Sequence, residues 1–173
     1  MILYLGDKEL FDFISSIYPD ISCEISAEEA DKIITAEYSH NSVSVVRYAD
    51  ENKIPLLGIL DGCKAVAEAF GADCIPIENC SEGKQELAVL DTNVSLYKNL
   101  GHVISICRGD PSTLDEETLP PELDCISRSE TGEILSFRKK NTDGSSYIFA
   151  VNFYLNSSLT QCGEIILKNF IGL

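Results

Sequence analysis

The residues best placed to do chemistry lie in one short run, Leu57-Gly58-Ile59-Leu60-Asp61-Gly62-Cys63-Lys64-Ala65-Val66. An apolar strand turns sharply there into a helix, with Gly58 and Gly62 flanking the turn. That is the architecture of a nucleophile elbow. A tight bend holds one side chain exposed and strained, beside a helix N-terminus that favours negative charge. Flanking glycines let neighbouring backbone come close. Glycines at this spacing alone say little, because many strand-to-helix turns use them. Cys63 stands one helical turn into the following helix, where a helix N-terminus lowers a thiol pKa and favours the thiolate nucleophile. Its side chain would project from the helix rather than from the bend, and neither histidine, His40 or His102, is assigned to it as a base. A packed, idle thiol is the competing reading of Cys63.

The elements that must hold this run are legible from periodicity. Residues 1–5 form an apolar run ended by Gly6-Asp7 and read as a buried strand. Leu10, Phe11, Ile14 and Ile17 recur at helical spacing until Pro19. Residues 21–25 alternate like a short strand, and residues 32–36 read as another buried one. Val43, Val46 and Ala49 mark a second helix, and residues 54–59 form the central strand, with Pro55 at its start. Residues 62–70 then form a helix that Gly71 stops. Alternation of strand and helix implies parallel strands joined by right-handed crossovers. The second half reads differently. Strands are expected over residues 86–90, 102–107, 123–129, 133–138 and 148–153, with turns at Gly132 and Asp143-Gly144. Residues 111–121 read as a loop or short helix, and residues 159–170 as a last helix. The fold class expected is α/β: three layers, a mainly parallel central sheet flanked by helices, flavodoxin-like, with additional antiparallel strands. No linker or repeat divides residues 1–173, so one domain is expected.

The run from Leu57 to Gly71 resembles the elbow of class I glutamine amidotransferases, where a strand ending Gly-Ile-Cys-x-Gly-x-Gln leads into a helix like Ala-Ile-Ala-x-Ala-Phe-Gly-Gly. Four further segments follow in the family's order. Ala30-Asp31-Lys32-Ile33-Ile34 is placed like the strand before the family's oxyanion loop. Residues 119–129 with Gly132-Glu133-Ile134 are similar to its "LP..L.v.A.s" and "dG.i" stretches. Phe149-Ala150-Val151-Asn152-Phe153-Tyr154-Leu155-Asn156 resembles Gly-Val-Gln-Phe-His-Pro-Glu. Gly163 and Lys168-Asn169-Phe170-Ile171 resemble its ending.

The resemblance implies a cysteine nucleophile, a histidine base and a glutamate that orients the histidine, which together release ammonia from glutamine. Carried over by position, these roles fall on Leu60, Tyr154 and Asn156. Leucine has no lone pair for attack. A tyrosine with an ordinary pKa near 10 is a poor base at neutral pH. Asparagine carries no charge to steady an imidazolium. The glycine-rich oxyanion run is replaced by Glu37-Tyr38-Ser39-His40, with His40 read as a loop residue, and Glu37 has the wrong sign for a forming oxyanion. The glutamine after the elbow is Lys64. The expectation is a family member without the family's chemistry, acting by binding, as a subunit of a partner synthase. A cleft of Glu37, Tyr38, Gly58, Asp61, Gly62, Cys63 and Lys64 is the candidate small-molecule site, with Tyr154 and Asn156 sharing its polar rim. Two alternatives stay open: an amidohydrolase or transferase rebuilt on Cys63 or Tyr154, and a sensor using the former glutamine cleft.

Composition bounds the partners. The 173 residues include 28 acidic and 13 basic side chains, a net charge of -15. That field repels a phosphate backbone, so nucleic acid is not an expected partner. No run approaches the roughly 18 apolar residues of a membrane helix, and the N-terminus does not read as a signal peptide. The seven cysteines are odd in number and irregularly spaced, with no C-x-x-C, so reduced thiols in the cytoplasm are expected. No metal and no cofactor is implied.

Overall fold

The computed structural model describes residues 1–80 and 82–173. Its first half alternates as the apolar periodicity requires: β1 (Ile2–Leu5), α1 (Lys8–Ile17), β2 (Ile21–Ser22), β3 (Lys32–Thr35), α2 (His40–Asn52), β4 (Leu56–Ile59) and α3 (Asp61–Ala69). After β5 (Cys74–Pro76) come β6 (Gln85–Leu90), β7 (Val103–Arg108), β8 (Ser112–Leu114), β9 (Leu123–Ser129), β10 (Ile134–Lys139), β11 (Ile148–Val151) and β12 (Phe153–Tyr154), and α4 (Gly163–Ile171) closes the chain.

Ten strands form one mixed sheet in the order β12-β7-β6-β9-β10-β11-β4-β3-β1-β2. From β11 to β2 the neighbours are parallel, and this half has the flavodoxin-like strand order. From β12 to β11 they are antiparallel, with Gly132 at φ 101 in the turn between β9 and β10. Strands in the parallel half are apolar on both faces because helices cover both. One face packs Ile34, Leu57, Ile59, Phe149 and Val151 with Leu10 and Ile14 of α1 and Ile166 and Phe170 of α4. The other packs Ile33, Leu56 and Ala150 against Val43 and Val46 of α2 and Ala65 and Val66 of α3.

Three expectations need correction. The last helix begins at Gly163, not near residue 159. The residues before it form turns, because Thr160 is used elsewhere: its Oγ1 accepts from the Cys107 N–H at 2.9 Å and donates to the Tyr154 carbonyl at 2.5 Å. The segment at 111–121 is not all loop or helix. It contributes β8, which pairs antiparallel with β5. The second strand is only Ile21–Ser22, since nothing beyond that pair continues along β1.

Candidate functional site

The elbow is present in full geometry. β4 ends at Ile59, α3 begins at Asp61, and Leu60 between them has φ 55 and ψ -115. A non-glycine residue there costs on the order of 1–3 kcal/mol and persists only when its surroundings over-determine it. They do. The Leu60 N–H donates to the Val151 carbonyl and its carbonyl accepts from the Cys63 N–H, both at 2.9 Å. A Cβ on Gly62 would stand 2.0 Å from the Thr35 carbonyl oxygen, and one on Gly58 would stand 2.6 Å from the Gly62 carbonyl oxygen. Gly58 and Gly62 do not line a cleft as expected. Both are buried, and their work is to let β3, β4 and α3 pass close to one another.

What the bend presents is an aliphatic side chain. Leu60 packs toward Gly109, where its Cδ2 would lie 2.7 Å from an added Cβ. Around it is a cavity of about 20 Å³, lined by Cys63, Lys64, Cys74, Ser112 and Asn152 among others. That is room for one water and not for a glutamine side chain. Asn152 is buried at 8% exposure; its Nδ2 donates to the Asp110 and Ser112 carbonyls, and its Oδ1 has no partner among the described residues.

Cys63 is 6% exposed, and its Sγ lies 3.9 Å from the Gly58 carbonyl. Burial pushes its thiol pKa well above the ordinary value, with smaller contributions of the same sign from Cys74 and Asp61. Desolvation thus overrides the helix N-terminus, and the thiolate is disfavoured. Asp61 is exposed and pairs with Lys64 at 3.0 Å; Lys64 also reaches Asp110 at 3.3 Å. Burial pulls Lys64 down, but these two carboxylates outweigh it and its pKa is raised.

The Tyr38 hydroxyl donates to the Glu68 carboxylate, and Glu37 Oε1 accepts from Ser39 Oγ at 3.0 Å. Ser39 caps α2 through a reciprocal bond with Ser42. His40 is therefore the first residue of α2 and not a loop residue as expected. Tyr38, Lys64, Glu68, Asp73 and Asp110 border a wider groove of about 500 Å³.

Tyr154 and Asn156 do not share that rim. They line a separate open groove of about 560 Å³ with Glu9, Glu82 and Cys107. The Tyr154 hydroxyl donates to the Glu82 carboxylate, and Asn156 Nδ2 donates to Glu9 Oε1 at 3.3 Å. The Glu82 bond, then burial, pushes Tyr154 up to about 12. It is more firmly protonated than a free tyrosine and a still poorer base. Its partner, 72 residues away in sequence, carried no motif that could have announced it.

Raised tyrosines make stability depend on pH at the alkaline end. Tyr147, by burial and its bond to Asp50, is also pushed up to about 12, while burial raises Tyr4 and Tyr97 further. Unfolded tyrosines ionise near pH 10. The stabilisation is therefore complete below about pH 10 and is lost as pH rises through about 12. The melting temperature should begin to fall above about pH 8.5, where unfolded thiols ionise and the buried Cys63 does not, and fall more steeply above about pH 10 as the tyrosines join. Phenolate absorbance of the native protein should lag that of the denatured chain; coincident titrations would contradict these assignments.

Among the described residues no group of histidine, cysteine, aspartate and glutamate is arranged to hold a metal ion, and no helix is long and apolar enough to cross a membrane.

Comparison with known proteins places this geometry among relatives. The family model described as glutamine amidotransferase class-I matches residues 31–173. The bifunctional protein TrpGD of Thermotoga maritima is 25% identical over 183 residues, covering 95% of this chain and 30% of its own length. Aminodeoxychorismate synthase component 2 of Klebsiella aerogenes is 28% identical over 137 residues, covering 79% of this chain and 70% of its own. The chain thus spans under a third of the first relative and just over two thirds of the second. Among solved structures, a protein described as a GMP synthase subunit from Thermoplasma acidophilum superposes with a TM-score of 0.81 at 20% identity, covering 99% of this chain and 92% of that one.

Proposed function

Because the chain belongs to the class-I glutamine amidotransferase family, we propose that it is a member without glutaminase chemistry, acting as a binding or regulatory subunit of a partner synthase. The observation that carries this reading is Leu60 at φ 55 on the elbow, an aliphatic side chain where thioester formation needs a thiolate. Tyr154 bound to Glu82 and Asn156 bound to Glu9 support it, because neither can serve as base or as charged orienting group. The relatives supply the class of partner: those named as component 2 of aminodeoxychorismate or anthranilate synthase are parts of synthases. A net charge of -15 favours a partner with a basic face, in the cytoplasm, and disfavours nucleic acid. An enzyme rebuilt on Cys63 is disfavoured by that thiol's burial and raised pKa, and one rebuilt on Tyr154 by its bond to Glu82. A small ligand, if one is held beside the elbow, would lie in the groove bordered by Tyr38 and Lys64 and not in the filled apex.

The test has two arms. Incubation with glutamine should release ammonia only at the buffer rate, and an electrophilic glutamine analogue should leave Cys63 unmodified by peptide mass mapping. Mixing with the large subunits of chorismate-utilising synthases should give a complex on size-exclusion chromatography. Ammonia above background sinks the non-catalytic reading, and failure to associate with any such large chain sinks the proposed partner.

A further inference from the structure

The two-stranded sheet of β5 and β8 stands apart from the ten-stranded one, and β5 has a strand on one side only. Its register pairs Cys74 with Leu114, Ile75 with Thr113 and Pro76 with Ser112. The Ile77 N–H donates to the Pro111 carbonyl at 2.9 Å, and the Asp115 N–H to the Asp73 carbonyl at 2.8 Å. In an antiparallel pair these bonds fix the alternation. Residues 73, 75 and 77 turn their backbone groups toward β8, and Cys74 and Pro76 turn theirs away. The Cys74 N–H, the Cys74 carbonyl and the Pro76 carbonyl therefore have no partner among the described residues. All three residues of β5 are exposed. β8, by contrast, is fixed to the body of the protein. Buried Arg108 and Asn152 donate to the Ser112 carbonyl at 3.1 and 3.2 Å, and the Ile134 N–H donates to Thr113 Oγ1 at 2.9 Å. The open edge is thus carried on an anchored strand.

An open edge is a template for another extended chain, and its two faces select what that chain carries. On one face Cys74 and Pro76 border the groove of about 500 Å³. Three carboxylates, Glu68, Asp73 and Asp110, share that border with one cation, Lys64, which Asp61 and Asp110 already hold. Asp73 pairs with no cation among the described residues. On the other face Ile75 is 42% exposed. We propose that β5 accepts an extended segment of the partner chain as an added antiparallel strand, with a lysine or arginine opposite Cys74 and apolar residues on either side of it. Side chains alternate between faces, so the basic one enters the acidic groove and its neighbours cover Ile75. The residue opposite Cys74 exchanges both backbone bonds with it, and the Pro76 carbonyl takes a third. A second copy of this chain is a poor occupant, because it would set one acidic border against another at a net charge of -15 on each. Pro76, which has no N–H, keeps the added ladder short. This inference rests on the reading of the chain as a binding subunit and names the surface that such a subunit uses.

The probe is the capped peptide Ac-Thr-Val-Arg-Val-Thr-NH2, titrated at millimolar concentration into the whole chain and read by amide NMR and hydrogen exchange. The Cys74 N–H should shift and exchange at least about tenfold more slowly in the complex, whereas the Ile75 N–H, which faces β8, should change little. The same peptide with glutamate for arginine, or with its arginine amide N-methylated, should bind at least about tenfold more weakly. Asp73→Lys should weaken the arginine peptide about fivefold. Glu51→Lys, an equal change of charge in the last turn of α2, at the other end of that helix from Tyr38, should leave it within about twofold. The proposal is overturned by unchanged exchange at Cys74 with the arginine peptide in excess, by equal affinity for the arginine and glutamate peptides, by undiminished binding of the N-methylated peptide, or by equal effects of Asp73→Lys and Glu51→Lys. Association with a large synthase chain is scored separately. A complex that forms and is not weakened by Asp73→Lys overturns this surface and leaves the partner standing. A peptide that binds as described, with no large chain associating, overturns the partner and leaves the surface.

Discussion

Gly62→Ala is expected to destabilise the protein by about 3–5 kcal/mol, a large share of the roughly 5–15 kcal/mol that holds a domain of this kind together. The added methyl would sit 2.0 Å from the Thr35 carbonyl oxygen, which is backbone and cannot rotate away. Thr35 ends β3, and Gly62 lies in the first turn of α3, so relief requires moving a strand against a helix in the middle of the core. Gly163→Ala should be comparably severe, since its methyl would meet the Leu155 carbonyl oxygen at 1.9 Å. Gly101→Ala is the matched control. Its nearest contact is 3.7 Å and it is exposed, so a change within about 0.5 kcal/mol is expected. Urea unfolding of the three variants checks this. A Gly62→Ala protein as stable as the parent would mean that β3 and α3 are not in contact.

Leu60→Cys is expected to separate reactivity from catalysis. The backbone at φ 55 is set by the neighbours of residue 60, so the new thiol stands at the bend. It faces the N-terminus of α3, which favours the thiolate. A small alkylating agent such as iodoacetamide should label residue 60 at least about tenfold faster than the buried Cys63, a difference that follows from exposure and thiolate fraction. Ammonia release from glutamine should nonetheless stay at background. Tyr154, proposed above to stand where a base would, is pushed up to about 12 and bonded to Glu82. The space around the apex remains close to 20 Å³ plus what the smaller side chain frees. Steady ammonia production by this single variant would show that the remaining parts of the family's machinery are functional and that leucine alone silenced them.

Much of the fold was legible because its signals are local. Residues at strand and helix periods, with Gly58, Gly62 and Gly71 as punctuation, placed β4, α3 and the bend between them to within about two residues. The short pieces β5 and β8 were not legible, and the strand expected over residues 148–153 breaks at Asn152, so that β11 pairs with β10 and β4 and β12 with β7. β5 and β8 pair with each other far apart in sequence, β5 is wholly exposed, and neither has an apolar alternation to announce it.

The amino-acid types by themselves determined that residue 60 is aliphatic and residue 156 uncharged, and no folding can make the one a nucleophile or give the other a charge. Tertiary structure decided the rest. It placed Tyr154 and Asn156 in a groove apart from Lys64, and sank Arg108 with one N–H unmet. It also decided between the two readings of Cys63, since burial outweighs the local helix-terminus effect and leaves a packed thiol. Local chemistry is written residue by residue, but solvation and long-range partners exist only once distant segments have packed.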